Sequence, residues 1–205
     1  MSSSIRRILF DKSVFTVDEN VYAPAEDSFL FAENLDVQED DSVLDMGSGC
    51  GILGILAAKK ARSVLAVDVN PFAIRCTKRN AVLNGAFHRM AFIQGDLFSP
   101  LQNLAKFTVV LFNTPYLPMS QSETRSWIEL SWDGGSSGRF VIDRFIVDVK
   151  KHLEQTGRVM LLQSTLAGVD ETIQRFEACG MTAKTMAQLA LPFFETLFLI
   201  EAKIR

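Results

Sequence analysis

An alternation of short apolar runs with helix-like stretches limits this fold more than any other feature of the chain. Strand-like runs stand at 42–45, 63–68, 91–94, 107–112 and 158–163. A helix is expected from Ile52 to Lys60 after the first run. Another should run from Pro71 to about Leu83 after the second, opened by Asn70-Pro71 and stopped by Asn84-Gly85. Helices over about 139–153 and near 169–179 bracket the fifth run, and two last strands fall around 183–189 and 196–203. Parallel neighbours need a long crossover, usually a helix, so this order predicts helices on both faces of a parallel sheet. No helix separates the last two strands, so one of them should run antiparallel at an edge. The expected class is α/β: a doubly wound, mostly parallel seven-stranded sheet with an antiparallel edge strand, in a single domain spanning 1–205.

Composition removes other classes. The 205 residues are 48% apolar and 22% charged, too apolar for a disordered chain. A net charge of −3 argues against a protein that coats nucleic acid. Cys50, Cys76 and Cys179 form no C-x-x-C pair, which excludes a zinc finger or a disulfide framework and suits a reducing cytosol. The start has no apolar core of a signal peptide, and the apolar stretch at 189–200 is broken by Pro192 and Glu195. A cytoplasmic location is therefore expected.

The segment Leu44 to Gly54 reads Leu-Asp-Met-Gly-Ser-Gly-Cys-Gly-Ile-Leu-Gly. Gly47, Gly49 and Gly51 lie between a strand and a helix, where a missing Cβ lets a ligand approach the backbone. From Gly49 the spacing is G-x-G-x-x-G, which a dinucleotide would also use. Asp45 separates the two ligands: a carboxylate there repels a pyrophosphate and suits a cation. S-adenosylmethionine carries an ammonium, a sulfonium and ribose hydroxyls, and no phosphate. Asp45 then lies near its amino-acid end, Asp68 takes the ribose hydroxyls, Asp96 accepts from the adenine amino group, and Val69 and Leu97 cover the ring. Each acid closes one of the first three strands, on the one sheet edge where such folds bind ligands.

Asn113-Thr114-Pro115-Tyr116 leaves the fourth strand, expected to lie beside the first. Amide and exocyclic amine nitrogens are poor nucleophiles because their lone pairs are delocalised. The Asn113 side-chain oxygen and the Thr114 backbone carbonyl can accept from both N–H groups of such a nitrogen. Tyr116 can stack on the flat group, and Pro115 stiffens the turn. The polar stretch from there to about Gly138 is longer than an idle connection.

These motifs resemble those of class I S-adenosylmethionine-dependent methyltransferases. Within them the chain resembles the HemK/PrmC-type glutamine N5-methyltransferases, in their short archaeal and eukaryotic branch. The resemblance covers nearly the whole chain: Val21 to Leu30, Leu44 to Gly54, Asp68 to Pro71, Gly95 to Phe98, Asn113 to Pro118, and Trp132 to Gly138. It implies methylation of the glutamine in the Gly-Gly-Gln motif of a peptide chain release factor, a step of translation termination. It also implies that Ser28 lies at the donor's amino-acid end and that Asp27 supports the pocket, with Asn113 contacting donor or substrate. The family usually carries Asn-Pro-Pro-Tyr, and here Thr114 stands second. The branch implies no N-terminal helical substrate domain. It implies instead a small zinc-binding activator subunit, for which Phe87 to Ile93 offers an apolar strand edge.

Rival readings stay open at this stage. Adenine N6 in DNA or RNA presents the same flat NH₂, and Lys59, Lys60, Arg62, Arg75, Lys78 and Arg79 form a modest basic cluster. A nicotinamide-dependent dehydrogenase would use only the glycine spacing, and a non-catalytic scaffold would keep only the fold. No metal-ligand cluster is visible, and His88 and His152 read as surface histidines.

Overall fold

The computed structural model describes residues 5–101, 105–120 and 125–205. The chain opens with an antiparallel hairpin, β1 (Arg6–Phe10) and β2 (Ser13–Val17), that sequence patterning does not announce. Asp11 and Lys12 take positive φ at its two-residue turn. Amide side chains hold it in place: Asn80 Oδ1 accepts from the Thr16 amide at 2.9 Å and Asn84 Oδ1 from the Val14 amide at 3.0 Å.

The main sheet contains β3 (Ser42–Met46), β4 (Ser63–Asp68), β5 (Met90–Gln94), β6 (Phe107–Asn113), β7 (Leu153–Ser164), β8 (Met181–Ala190) and β9 (Thr196–Ile204). Their spatial order is β5-β4-β3-β6-β7-β9-β8. The helices are α1 (Glu26–Glu33), α2 (Ile52–Ala58), α3 (Pro71–Leu83), α4 (Phe140–Val149) and α5 (Val169–Ala178). Side chains alternate between the sheet's faces. Val43, Val64, Val109 and Leu111 join the core under α1, α2 and α3, whereas Leu44, Met46, Val110 and Phe112 join the core under α4 and α5. The helix starting at Pro71 has the expected cap, with Asn70 Oδ1 accepting from the Phe72 amide at 2.9 Å.

The seven strands stand as expected, with one correction. The reversed strand is β9, and it is not the edge: it pairs antiparallel with β7 on one side and β8 on the other. Burial gives the reason. Leu197, Leu199, Ile200 and Ala202 of β9 are buried, whereas most of β8 is exposed. The more apolar strand takes the inner place and the polar one takes the rim. A second correction concerns His152. It is buried, stacked on Phe98 with ring centroids 4.8 Å apart, and its Nδ1 lies 3.0 Å from the Ala105 carbonyl oxygen. His88 is exposed as expected. Among the described residues no helix is long and apolar enough to cross a membrane.

Strand order reverses between β3 and β6, because the chain runs outward from β3 to β4 and β5 and then returns to β6. That reversal opens a crevice at the carboxyl ends of these two strands.

Candidate functional site

A cavity of about 320 Å³ occupies this crevice. Its floor is the glycine turn, held by the Gly47 amide donating to the Val67 carbonyl at 2.8 Å. Gly49 has φ +57, and nothing lies within 4 Å of where a Cβ would stand, so its backbone is open to a ligand. Gly51 does not line the cavity. It caps α2 with φ +89, against the Thr77 methyl.

Two carboxylates rim this floor, Asp45 buried and Asp68 half-buried. Asp45, on β3, accepts from the Gly54 amide at 3.0 Å, and a Cβ on Gly54 would stand 2.5 Å from that carboxylate oxygen. Asp68, ending β4, accepts from the Gly49 and Asn70 amides, each at 2.8 Å. Burial pushes Asp45 up to about 7 against the pull of the Gly54 amide, and the charge of Asp68 adds to the rise. Burial likewise pushes Asp68 up to about 6 against its two amides. Both groups carry unspent affinity for a cation.

Asn113 ends β6 opposite them. Its Nδ2 donates to Asp27 Oδ2 at 3.0 Å and to Ser28 Oγ at 3.3 Å. Asp27, in the first turn of α1, also accepts from the Tyr22 hydroxyl at 3.1 Å and from the Ser28 amide and hydroxyl. A carboxylate facing Nδ2 fixes the amide's orientation, because the opposite flip would set oxygen against oxygen. Asn113 Oδ1 is consequently left buried with no partner among the described residues. A buried acceptor of this kind calls for a donor. Tyr22 belongs to this network although sequence gave it no role; its place in Val21 to Leu30 was the available signal.

Thr114 is buried, and both its amide, at 3.2 Å, and its hydroxyl, at 2.8 Å, donate to the Leu162 carbonyl of β7. Pro115 lines the cavity, whereas Tyr116 lies outside its lining, packed between the two cores. The chain then folds back on itself. Leu117 bridges Asp133, its amide donates to the Trp132 carbonyl at 2.8 Å, and the Gly134 amide returns to the Leu117 carbonyl at 2.9 Å. Only glycine fits at 138, where a Cβ would meet the Tyr116 carbonyl. Arg125 pairs with buried Asp133, and Trp127, Leu130 and Ser131 join them over the cavity. Sequence pointed to this stretch by its length and, from Trp132 to Gly138, by the family resemblance. Residues 121–124 of it lie outside the described residues.

At the far end, Asp96, Leu97 and Val69 all line the cavity. Asp96 pairs with Arg144 at 2.5 Å, and Arg144 lies 5.5 Å from the centre of the Phe140 ring. Leu97 has φ +47, an uncommon backbone for leucine. The basic cluster weighed for nucleic acid is partly consumed elsewhere: Lys59 pairs with Asp11 and Arg79 with Asp18, each at 3.0 Å.

Comparison with known proteins gives the family. The family model described as "Methyltransferase small domain" matches residues 10–131. A putative protein N5-glutamine methyltransferase of Methanocaldococcus jannaschii is 41% identical over 184 residues, which is 89% of this chain and 91% of that protein. Methyltransferase HEMK2 of Homo sapiens is 30% identical over 176 residues, 81% of this chain and 82% of its own. Among solved structures, the E. cuniculi Mtq2-Trm112 complex, described as responsible for methylation of the eRF1 translation termination factor, has a TM-score of 0.67 at 23% identity, covering 91% of this chain and 99% of that one. The M. jannaschii tRNA m1G37 methyltransferase has a TM-score of 0.74 at 21% identity, covering 100% and 58%. These two structures share the fold. The chain belongs to the methyltransferase small-domain family, in its HemK/PrmC-type branch of class I methyltransferases.

Proposed function

We propose that this chain transfers the methyl group of S-adenosylmethionine to the side-chain amide nitrogen of the glutamine in the Gly-Gly-Gln motif of a peptide chain release factor. The observation that carries the reading is the buried Asn113 Oδ1, oriented by Asp27 and left without a donor. A primary amide supplies that donor and is otherwise uncharged, as the site's acceptor chemistry requires.

The donor fits the residues present. Asp45 and Asp68 gain from a cationic group, and the open backbone at Gly49 admits one closely. In this reading Asp68 takes the ribose hydroxyls, and Asp45, Gly47 and Ser28 lie toward the amino-acid end. Asp96, Leu97 and Val69 hold the adenine. When bound, the sulfonium supplies an electrophilic methyl with a neutral thioether as leaving group, so orientation is the chain's main task. Asn113 Oδ1 accepts one N–H of the glutamine amide and the Thr114 carbonyl the other, which turns the nitrogen lone pair away from both. The nitrogen's bond to the methyl would form as the sulfur–methyl bond breaks, and the nitrogen would release one proton to solvent water. Pro115 stiffens the turn, and Thr114, pinned to β7 by two hydrogen bonds, fixes it where relatives use a second proline. Tyr116 braces the turn from the core side in this reading instead of stacking on the amide.

The same reading includes a small zinc-binding activator subunit at the rim of the sheet. Among the described residues β5 pairs only with β4, and Val82, Leu83 and Phe87 beside it are exposed. The test of the whole reading is methyl transfer from labelled donor to a release factor, beside DNA and RNA. Label in the factor alone supports it; label in nucleic acid alone replaces it with the adenine reading; label in none leaves a scaffold.

A further inference from the structure

The turn joining β8 to β9 is built unlike the rest of the surface. Phe193 and Phe194 at its tip are 96% and 103% exposed. Both have left-handed backbones, with φ 63 and φ 64, a region that bulky side chains rarely adopt. The Leu191 amide closes the turn on the Glu195 carbonyl at 2.8 Å, and the Thr196 amide anchors it to Thr165 Oγ1 at 3.1 Å. Two large apolar rings are thus held out into solvent on a fixed base. Scattered exposed apolar residues are ordinary, whereas a strained adjacent pair at a fixed tip is not.

The tip's position gives it a purpose. Leu197 of β9 pairs with Ser164 at the end of β7, and Leu162 of β7 pairs with Asn113. The tip therefore stands on the same sheet edge as the asparagine turn. The tip joins β9 and β8, which lie two and three strand spacings from β6, roughly 10 to 15 Å. Glu195 is close enough to Tyr116 for its charge to help raise that phenol's pKa. Charge selects the partner. From Leu189 to Phe198 the only ionisable side chain is Glu195, so the tip offers a nucleic acid no cation and one repelling carboxylate. An apolar recess on a protein suits it.

We propose that the Phe193–Phe194 tip inserts into an apolar recess of the protein substrate beside the methylated glutamine, so that the whole factor is docked and not the glutamine alone. This rests on the reading that the substrate is a protein amide. The test is steady-state methylation by wild type and by the double variant Phe193→Gly/Phe194→Gly, which removes the rings and relieves the backbone strain. The substrates are the intact release factor and a short peptide carrying its Gly-Gly-Gln segment. KM for the intact factor should rise about tenfold or more, with kcat, peptide KM and donor affinity unchanged. The pair Phe193→Leu/Phe194→Leu should recover part of the loss. A factor KM within about twofold of wild type overturns the docking alone, as does an equal rise for factor and peptide. Cosedimentation of wild type with phosphatidylcholine vesicles that the double variant loses, or a wild-type dimer that it loses, also overturns it by giving the tip a different occupant. A wild-type enzyme that labels no release factor removes the substrate assignment first, and the docking with it.

Discussion

Acidification should cost the apo chain its affinity for S-adenosylmethionine, and the loss can be worked from two carboxyls. Asp45 is held near 7 and Asp68 near 6 by burial, each well above its ordinary value of 3.8. At pH 6 Asp45 binds about 0.9 of a proton and Asp68 about 0.5, by simple titration. A cationic donor beside them favours the ionised forms, so binding at pH 6 should expel about 1.4 protons. Between pH 8 and pH 5 the affinity should fall by up to about a thousandfold, less as the two groups couple. Stability of the apo fold runs the other way. The folded chain binds more protons than the unfolded one between about pH 4 and 7, so the contribution of these acids is full below their ordinary pKa and is lost as pH rises through 6 and 7. For Asp45 alone that is about 4 kcal/mol. Calorimetry at pH 6 in buffers of different ionisation enthalpy counts the protons, and thermal melts across the same range read the stability. Donor affinity that is flat from pH 5 to 8, with no proton release, refutes the reasoning.

Asn113→Ala should leave donor affinity intact and lower kcat by about a hundredfold or more, since the lost acceptor serves only the reacting amide; single-turnover methylation beside a binding titration separates the two, and equal losses would contradict the division. Gly54→Ala places a Cβ 2.5 Å from the Asp45 carboxylate and should destabilise the fold by about 1–3 kcal/mol in chemical denaturation, with a weakened donor site; unchanged stability would mean that the turn has room it does not show. Thr114→Val removes the 2.8 Å hydroxyl bond to Leu162 and should cost about 1 kcal/mol of stability and several-fold in kcat, with KM for donor unmoved.

Much of the fold was legible because β3, β4 and β6 are continuous apolar runs, the mark of strands buried on both faces. The Asn70-Pro71 start and Asn84 stop of α3 were equally plain. What escaped was written in contacts distant along the chain. Arg6–Phe10 is a largely exposed strand with no clean alternation, and its partner β2 is held by distant side chains: Cys76, Arg79 and Asn80 of α3 and its cap Asn84. The start of β7 at Leu153 was hidden by the polar run Glu154 to Thr156, which turns toward solvent beside a bulge at Phe107 and Val109. At the site, residue types named the acids and Asn113, because chemistry at a strand's end needs few neighbours to be recognised. They could not show that Tyr22 and Ser28 brace Asp27, or that Asp27 in turn sets the flip of the Asn113 amide. Nor could they show that the segment after Pro118 folds back to lay Arg125, Trp127 and Leu130 over the cavity.

The most direct test is to locate the transferred methyl in the product by fragmentation mass spectrometry of the release factor after incubation with donor. Methylation on the side-chain nitrogen of the Gly-Gly-Gln glutamine, and its disappearance with Asn113→Ala, is the predicted result. A methyl group on any other atom of the factor, or undiminished methylation by that variant, would contradict it.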